Sequence, residues 1–140
     1  MPSFGSRSQR RLEELHEDLQ LILLTAIKHV DFSILEGHRD KDTQNEYFHA
    51  GKSKLKWPLS KHNKKPSEAA DVLPYPFAQA DWSNYKRFYY LGGILIATAE
   101  MLYAEGLIEH KLRFGGDWDM DDDLDDQKFN DLPHVELVEV

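Results

Sequence analysis

At 140 residues, with 41% hydrophobic and 30% charged side chains, the chain has the size and make-up of one globular domain. Its longest apolar run, Leu21–Ile27, is broken by Thr25 and followed by Lys28, far short of the ~20 residues a membrane helix needs. The absence of cysteine rules out disulfides, thiolate catalysis and cysteine zinc sites, and a net charge of −8 argues against a general phosphate-binding surface and hence against nucleic acid.

In chain order, Leu12, Leu15, Leu19, Ile22, Leu23 and Ile27 recur at spacings of three and four, which predicts a first helix over Ser8–Val30 with Ser8 as its N-cap. No apolar stretch follows Arg7, Arg10 and Arg11, so no secretory signal is read there. Asp31–Glu36 alternates as a half-buried strand and stops at Gly37. A second helix is expected over Asp40–Ala50, closed by Gly51. The lysine-rich loop beyond it holds Trp57-Pro58, and Glu68–Tyr75 reads as the next strand. A third helix, Asn84–Glu105, lines up Phe88, Leu91, Leu95, Thr98 and Leu102, with Ile94 and Met101 widening the face. Gly92-Gly93 weakens that helix by ~1 kcal/mol per glycine, which suggests another element packed close against it. Strands are expected at Lys111–Phe114 and His134–Val138. Without a βαβ rhythm, this mixture predicts an α+β fold: a small antiparallel sheet packed with about three helices, in one domain over residues 1–140.

Charge is unevenly spread. Between Glu46 and Glu68 there is no carboxylate, while Lys52, Lys54, Lys56, Lys61, Lys64 and Lys65 supply six positive charges. Between Asp117 and Asp126 stand seven aspartates and no base. Both runs read either as solvated loops or as a surface for an anionic polymer and a hold for a cation. Asp117, Asp119, Asp121, Asp123 and Asp125 resemble the alternate carboxylates of a calcium loop. They depart from the EF-hand, since Leu124 stands where glycine makes the turn and Asn130 where the bidentate glutamate belongs.

With seven histidines and no cysteine, metal chemistry here rests on histidine and carboxylate. Two clusters hold such residues: Ser60 to Asp71, and Asp131-Leu132-Pro133-His134-Val135-Glu136. A catalytic zinc takes three such ligands and a nearby carboxylate to accept a proton from its water. By spacing alone, the Asp131/His134 pair reads first as a chance pairing in an aspartate-rich chain. His62 and Asp71 meet only if the loop Asn63–Ser67 folds back.

Together these pieces carry a resemblance. Glu36-Gly37-His38-Arg39 with Gln44, Ser60-Lys61-His62, Ala70-Asp71-Val72, and Gly115-Gly116-Asp117-Trp118 leading into Asp131–Glu136 occur in the order found in the LAS-type zinc peptidases. That family spans D-alanyl-D-alanine carboxypeptidases and dipeptidases, the L-alanoyl-D-glutamate endopeptidases of phage endolysins, and the zinc-binding hedgehog domains. The chain resembles the endolysins most, over residues 32–137. The resemblance implies a hedgehog/D-Ala-D-Ala-peptidase-like fold, with His62, Asp71 and His134 as zinc ligands, Asp131 as general base and Arg39 stabilising the oxyanion. The chain departs from the family pattern in the longer His62-to-Asp71 spacing and in the glycine missing before the aspartate strand.

In function, the resemblance implies a monomeric zinc-dependent peptidoglycan hydrolase that cuts the stem peptide at the L-Ala–D-Glu bond. Such an enzyme is made in the host cytoplasm and released to the wall by other factors. In that setting Ser60 fixes its loop, Glu136 orients a ligand or the substrate amine, Trp118 walls the cleft, and Ca²⁺ orders the aspartate loop. Two alternatives stand beside this reading: a D-Ala-D-Ala carboxypeptidase or dipeptidase, and a non-catalytic zinc-binding interaction module.

Overall fold

A computed structural model describes residues 2–140. Its helices are α1 (Ser6–Leu12), α2 (Glu17–Ala26), α3 (Lys41–His49) and α4 (Tyr85–Ala104). Its strands are β1 (Phe32–Glu36), β2 (Ala69–Pro74), β3 (Lys111–Phe114) and β4 (His134–Val138). They form one antiparallel sheet in the order β1-β2-β4-β3. The α+β expectation holds, with four helices in place of about three.

The extra helix comes from a break in the first one. The apolar stripe is continuous, and Leu12, Leu15, Leu19, Ile22 and Leu23 are all buried. The backbone between them is diverted, however: Ser67 N–H donates to the Glu14 carbonyl and His16 N–H to the Ser67 carbonyl. His16 then caps α2 by accepting the Asp18 N–H on Nδ1 at 3.0 Å. Ser8 is not a cap. It lies inside α1, and its hydroxyl accepts the Ile34 N–H at 3.0 Å, tying α1 to β1.

The other boundaries obey local chemistry. Asp40 caps α3 by accepting the Thr43 N–H at 2.8 Å, and Gly51, at φ +76°, lets the chain turn away after it. In α4, Phe88, Leu91, Leu95, Thr98 and Leu102 are buried as expected; Met101 is exposed, and Gly92 and Ala99 complete the face instead. At Gly92 a Cβ would meet the Phe114 ring at 2.9 Å, so this glycine is what lets α4 lie close on β3.

The core lies between one face of the sheet and the helices, with Ile34, Val72, Leu112, Val135 and Leu137 meeting Leu19, Ile22, Leu23, Leu91 and Leu95. Because strand side chains alternate, the residues between them turn to the opposite face. Those residues are Asp71 on β2, His134 and Glu136 on β4, and Arg113 on β3. Register sets Asp71 against His134 and Arg113 against Glu136, so burying the apolar set gathers the polar set on the other side.

Candidate active site

That polar face is the floor of an open cleft of about 960 Å³, lined among others by Arg39, His62, Asp71, Asp131, His134 and Glu136. His62 arrives from a short 3-10 turn, Lys61–Asn63, which Ser60 caps by accepting the His62 N–H at 3.2 Å. The Asn63 side chain accepts the Ser60 N–H in return. The loop after His62 does fold back: buried Ser67 donates to the Ala69 carbonyl at 2.7 Å and hands the chain to β2. The longer His62-to-Asp71 spacing is thus taken up before the strand begins, and the Ser60 hydroxyl caps the turn that carries His62.

Three ligand atoms converge. His62 Nε2 lies 3.2 Å from His134 Nδ1, and Asp71 Oδ1 lies 3.4 Å from each of them. A tetrahedral ion bonded at about 2.0–2.1 Å needs ligand-to-ligand edges of about 3.3–3.4 Å. The triangle fits. Each imidazole is also held by an outer acceptor on its other nitrogen, which turns the converging nitrogen toward the shared point. His62 Nδ1 is 2.7 Å from the Gly37 carbonyl, which can only accept, and so carries the proton. His134 Nε2 is likewise held by Glu136 Oε1 at 2.7 Å, the outer carboxylate that commonly orients a metal-binding histidine. Asp71 Oδ1 is buried and has no hydrogen-bond partner, an arrangement that a cation would satisfy.

Electrostatics agree with the geometry. Burial opposes the charge on Asp71, yet the His62 and His134 imidazoles hold its carboxyl well below the usual range. Burial also opposes a charged His134, but Asp71 and Glu136 push it up to about 9. Glu136 is held down at about 2, against burial, by bonds from His134 and Arg113. The cluster is built to hold positive charge. Asp131 behaves in the opposite way: burial and then the charge of Asp71 raise its pKa. A raised carboxyl pKa is what a proton-accepting base near neutrality requires.

Asp131 is placed by backbone. Its N–H donates to the Gly115 carbonyl at 3.0 Å, and its own carbonyl accepts the His134 N–H at 3.0 Å. A Cβ on Gly115 would fall 1.9 Å from the Asp131 carbonyl oxygen, so only glycine allows this approach. Trp118 walls the cleft, tilted on His134 with ring centroids 5.4 Å apart and stacked on Phe129.

Arg39 is buried and firmly held. Its Nε and Nη2 both donate to Glu36 Oε1, Nη1 donates to Gln44 Oε1 at 2.8 Å, and its Nη2 lies 3.7 Å from Asp71 Oδ2. A guanidinium has five N–H donors, so one on Nη2 remains beside the ligand triangle. Glu36 and Gln44 therefore act as the clamp of Arg39. Tyr47 adds its ring at 4.6 Å from the guanidinium carbon and bonds Glu36 Oε2 at 3.2 Å.

The aspartate loop contracts relative to expectation. Asp117, Asp119 and Asp121 each bring one carboxylate oxygen within 4.8 Å of the others, while Asp123 and Asp125 stand outside the group. The Asp121 and Asp123 carboxylates each accept the N–H two residues on, at 2.9 Å, which is the Asx-turn habit of loop aspartates. A hydrogen bond with Asp121 and the surrounding charges push Asp126 up to about 6. Nothing in this geometry singles out calcium.

Sequence reasoning did not find Arg113, which donates from Nη2 to Glu136 Oε2 at 2.7 Å, or the partnership of Lys61 with Glu136 at 3.6 Å. The only signal for Arg113 was its place between Leu112 and Phe114 in an alternating strand. Its partner became readable only through the β3–β4 register.

Fold and site together define a small α+β domain with a His/Asp/His group, able to hold a metal ion, on the floor of an open cleft. The chain belongs to the phage L-alanyl-D-glutamate peptidase family, whose model matches residues 2–138. It is 31% identical to the L-alanyl-D-glutamate peptidase of Escherichia phage T5, over 96% of this chain and 97% of that protein. Its fold matches the crystal structure of the Serratia marcescens L-Ala D-Glu endopeptidase ChiX with a TM-score of 0.73. That match is at 24% identity over 97% of this chain and 90% of ChiX. Among the described residues no helix is long and apolar enough to cross a membrane.

Proposed function

We propose that this chain is a zinc peptidase that cuts the peptidoglycan stem peptide between L-alanine and D-glutamate, with residues 1–140 acting as one catalytic domain. The observation that carries the reading is the triangle of His62 Nε2, Asp71 Oδ1 and His134 Nδ1, with edges of 3.2–3.4 Å. Membership of the phage L-alanyl-D-glutamate peptidase family supports the choice of bond.

His62, Asp71 and His134 hold the ion, and a bound zinc supplies a Lewis acid and lowers the pKa of its water from 15.7 towards ~7. Asp131 takes the proton of the attacking water on its carboxylate and delivers it to the departing D-glutamate nitrogen. Its raised pKa favours the first of these transfers, in which the carboxylate accepts the proton. Arg39, clamped by Glu36 and Gln44, keeps one Nη2 donor for the oxyanion of the tetrahedral intermediate. Such a prepositioned donor is worth about 3–4 kcal/mol in the transition state. Glu136 keeps the His134 proton on Nε2, so that Nδ1 stays a ligand.

Lys52, Lys54 and Lys61 from the basic segment line the cleft and attract an anionic stem peptide. The enzyme is made in the host cytoplasm and meets the wall after release. The testing experiment is mass spectrometry of purified peptidoglycan after digestion, with zinc and with chelator. New N-terminal glutamate on stem peptides, abolished by chelator, is the expected product. Loss of only a terminal D-alanine replaces the reading with a carboxypeptidase, and intact peptides from zinc-loaded protein replace it with a binding module.

A further inference from the structure

Among the described residues, the buried side-chain polar atoms without a hydrogen-bond partner are Asp71 Oδ1, Asp117 Oδ1 and Arg113 Nε. Two are acceptors. Arg113 Nε is the donor among them, and its side chain borders the cleft. A buried N–H without a partner is costly, and a native structure that keeps one calls for an explanation.

Two neighbouring cations, Arg39 and Lys61, are held mainly by protein partners. Arg39 divides its N–H groups between Glu36 and Gln44, and Lys61 gives its ammonium to the Leu137 carbonyl and lies 3.6 Å from Glu136. Arg113 makes one hydrogen bond to protein, from Nη2 to Glu136 Oε2 at 2.7 Å, and its side chain is 34% exposed. Its guanidinium carbon lies 5.7 Å from the centre of the Trp118 ring, and Trp118 in turn packs on His134. A guanidinium with most of its N–H groups unengaged therefore borders the cleft beside Glu136 and Trp118. A carboxylate that turns the fork toward itself would satisfy Nε as well.

The substrate offers such a group. In the stem peptide the D-glutamate continues through its γ-carboxyl, which leaves the α-carboxylate free on the same carbon as the scissile nitrogen. An ordinary α-linked peptide has a neutral amide in that place. We propose that Arg113 binds the free α-carboxylate of the γ-linked D-glutamate on the leaving side of the scissile bond, and so selects stem peptides in which that carboxylate is not amidated. This rests on the L-Ala–D-Glu reading above. Arginine suits the task because its planar fork matches a carboxylate with two parallel charge-assisted bonds.

The test compares two synthetic substrates, L-Ala-γ-D-Glu-L-Lys and the same peptide with its α-carboxylate converted to the primary amide, using zinc-loaded protein. The wild type is expected to favour the acid by about 100-fold in kcat/KM, because the amide leaves the fork partly unpaired. Arg113→Gln is expected to bring that ratio close to one, with zinc content and melting temperature retained. Arg113→Lys, which keeps the charge without the fork, should fall between. A wild-type ratio near one overturns the proposal. So does an Arg113→Gln or Arg113→Lys variant that loses rate equally on both peptides, because the residue would then act only by holding Glu136. Cleavage of neither peptide by the wild type overturns the bond assignment and this proposal together.

Discussion

Asp71 and His134 stand directly opposite each other in the β2–β4 ladder, with Asp71 Oδ1 3.4 Å from His134 Nδ1. The pairing of two strands thus delivers two of the three converging atoms of the candidate metal group, and the third comes from a capped turn outside the sheet. Asp71→Asn keeps the side-chain shape but removes the charge. It should fold with an unchanged far-ultraviolet spectrum and lose its zinc on dialysis, as measured by elemental analysis. Stoichiometric zinc in dialysed Asp71→Asn would remove Asp71 from the ligand set.

Glu136 reaches the metal centre only through His134, at 2.7 Å from Nε2. Such outer partners typically contribute 10–100-fold in metal affinity. Glu136→Gln should therefore weaken zinc binding by about 10–100-fold in a competition titration with a chromogenic chelator. An unchanged affinity would reduce the Glu136 contact to packing.

Asp131 and His134 are separable by experiment. Asp131→Ala should retain one zinc per chain and lose about 10²–10⁴-fold in turnover, the usual contribution of a positioned base. His134→Ala should lose metal and turnover together. Near-normal activity in Asp131→Ala would assign the base elsewhere.

Gly115 carries a steric prediction. A methyl group there meets the Asp131 carbonyl oxygen at 1.9 Å, so Gly115→Ala must push the Asp131 segment away from Gly115 and out of its observed place in the cleft. Turnover should fall, with zinc still bound by His62, Asp71 and His134. Leu95→Ala, at a fully buried core position far along α4, should instead cost about 2–5 kcal/mol of stability in urea unfolding. Zinc affinity should be unaffected.

Away from the cleft, Asp18 accepts bonds from His110 Nδ1 at 2.7 Å and the Glu109 N–H at 2.9 Å, joining α2 to the start of β3. Although burial opposes its charge, these partners lower its pKa below the ordinary aspartate value. A depressed carboxylate contributes stability that is present above its unfolded pKa and lost as pH falls through the folded one. Thermal melts should therefore drop below pH ~4. Asp18→Asn should melt lower than wild type at pH 7 and show a shallower acid decline. Parallel acid limbs in the two proteins would place that decline on other carboxylates.

Periodicity alone determined most of the elements. Alternation in β1 and the apolar face of α4 are local properties, visible because side-chain direction tracks the helix and strand repeats. The residue types that converge in the candidate centre were also legible: histidine and carboxylate in a cysteine-free chain, in an order resembling one family of zinc peptidases. The split of the first helix was not legible, because its cause is Ser67, brought from elsewhere in the chain to bond the backbone at Glu14 and His16. The convergence of His62, Asp71 and His134 depends on strand register and on the Ser60 cap, and spacing encodes neither. Tertiary structure also decided what surrounds that centre. Glu36 and Gln44 hold Arg39, Glu136 holds His134, and Arg113 is left with an unpartnered donor. Hydrogen bonds between residues distant in sequence exist only once burial of the sheet's apolar face has chosen the register that aligns them.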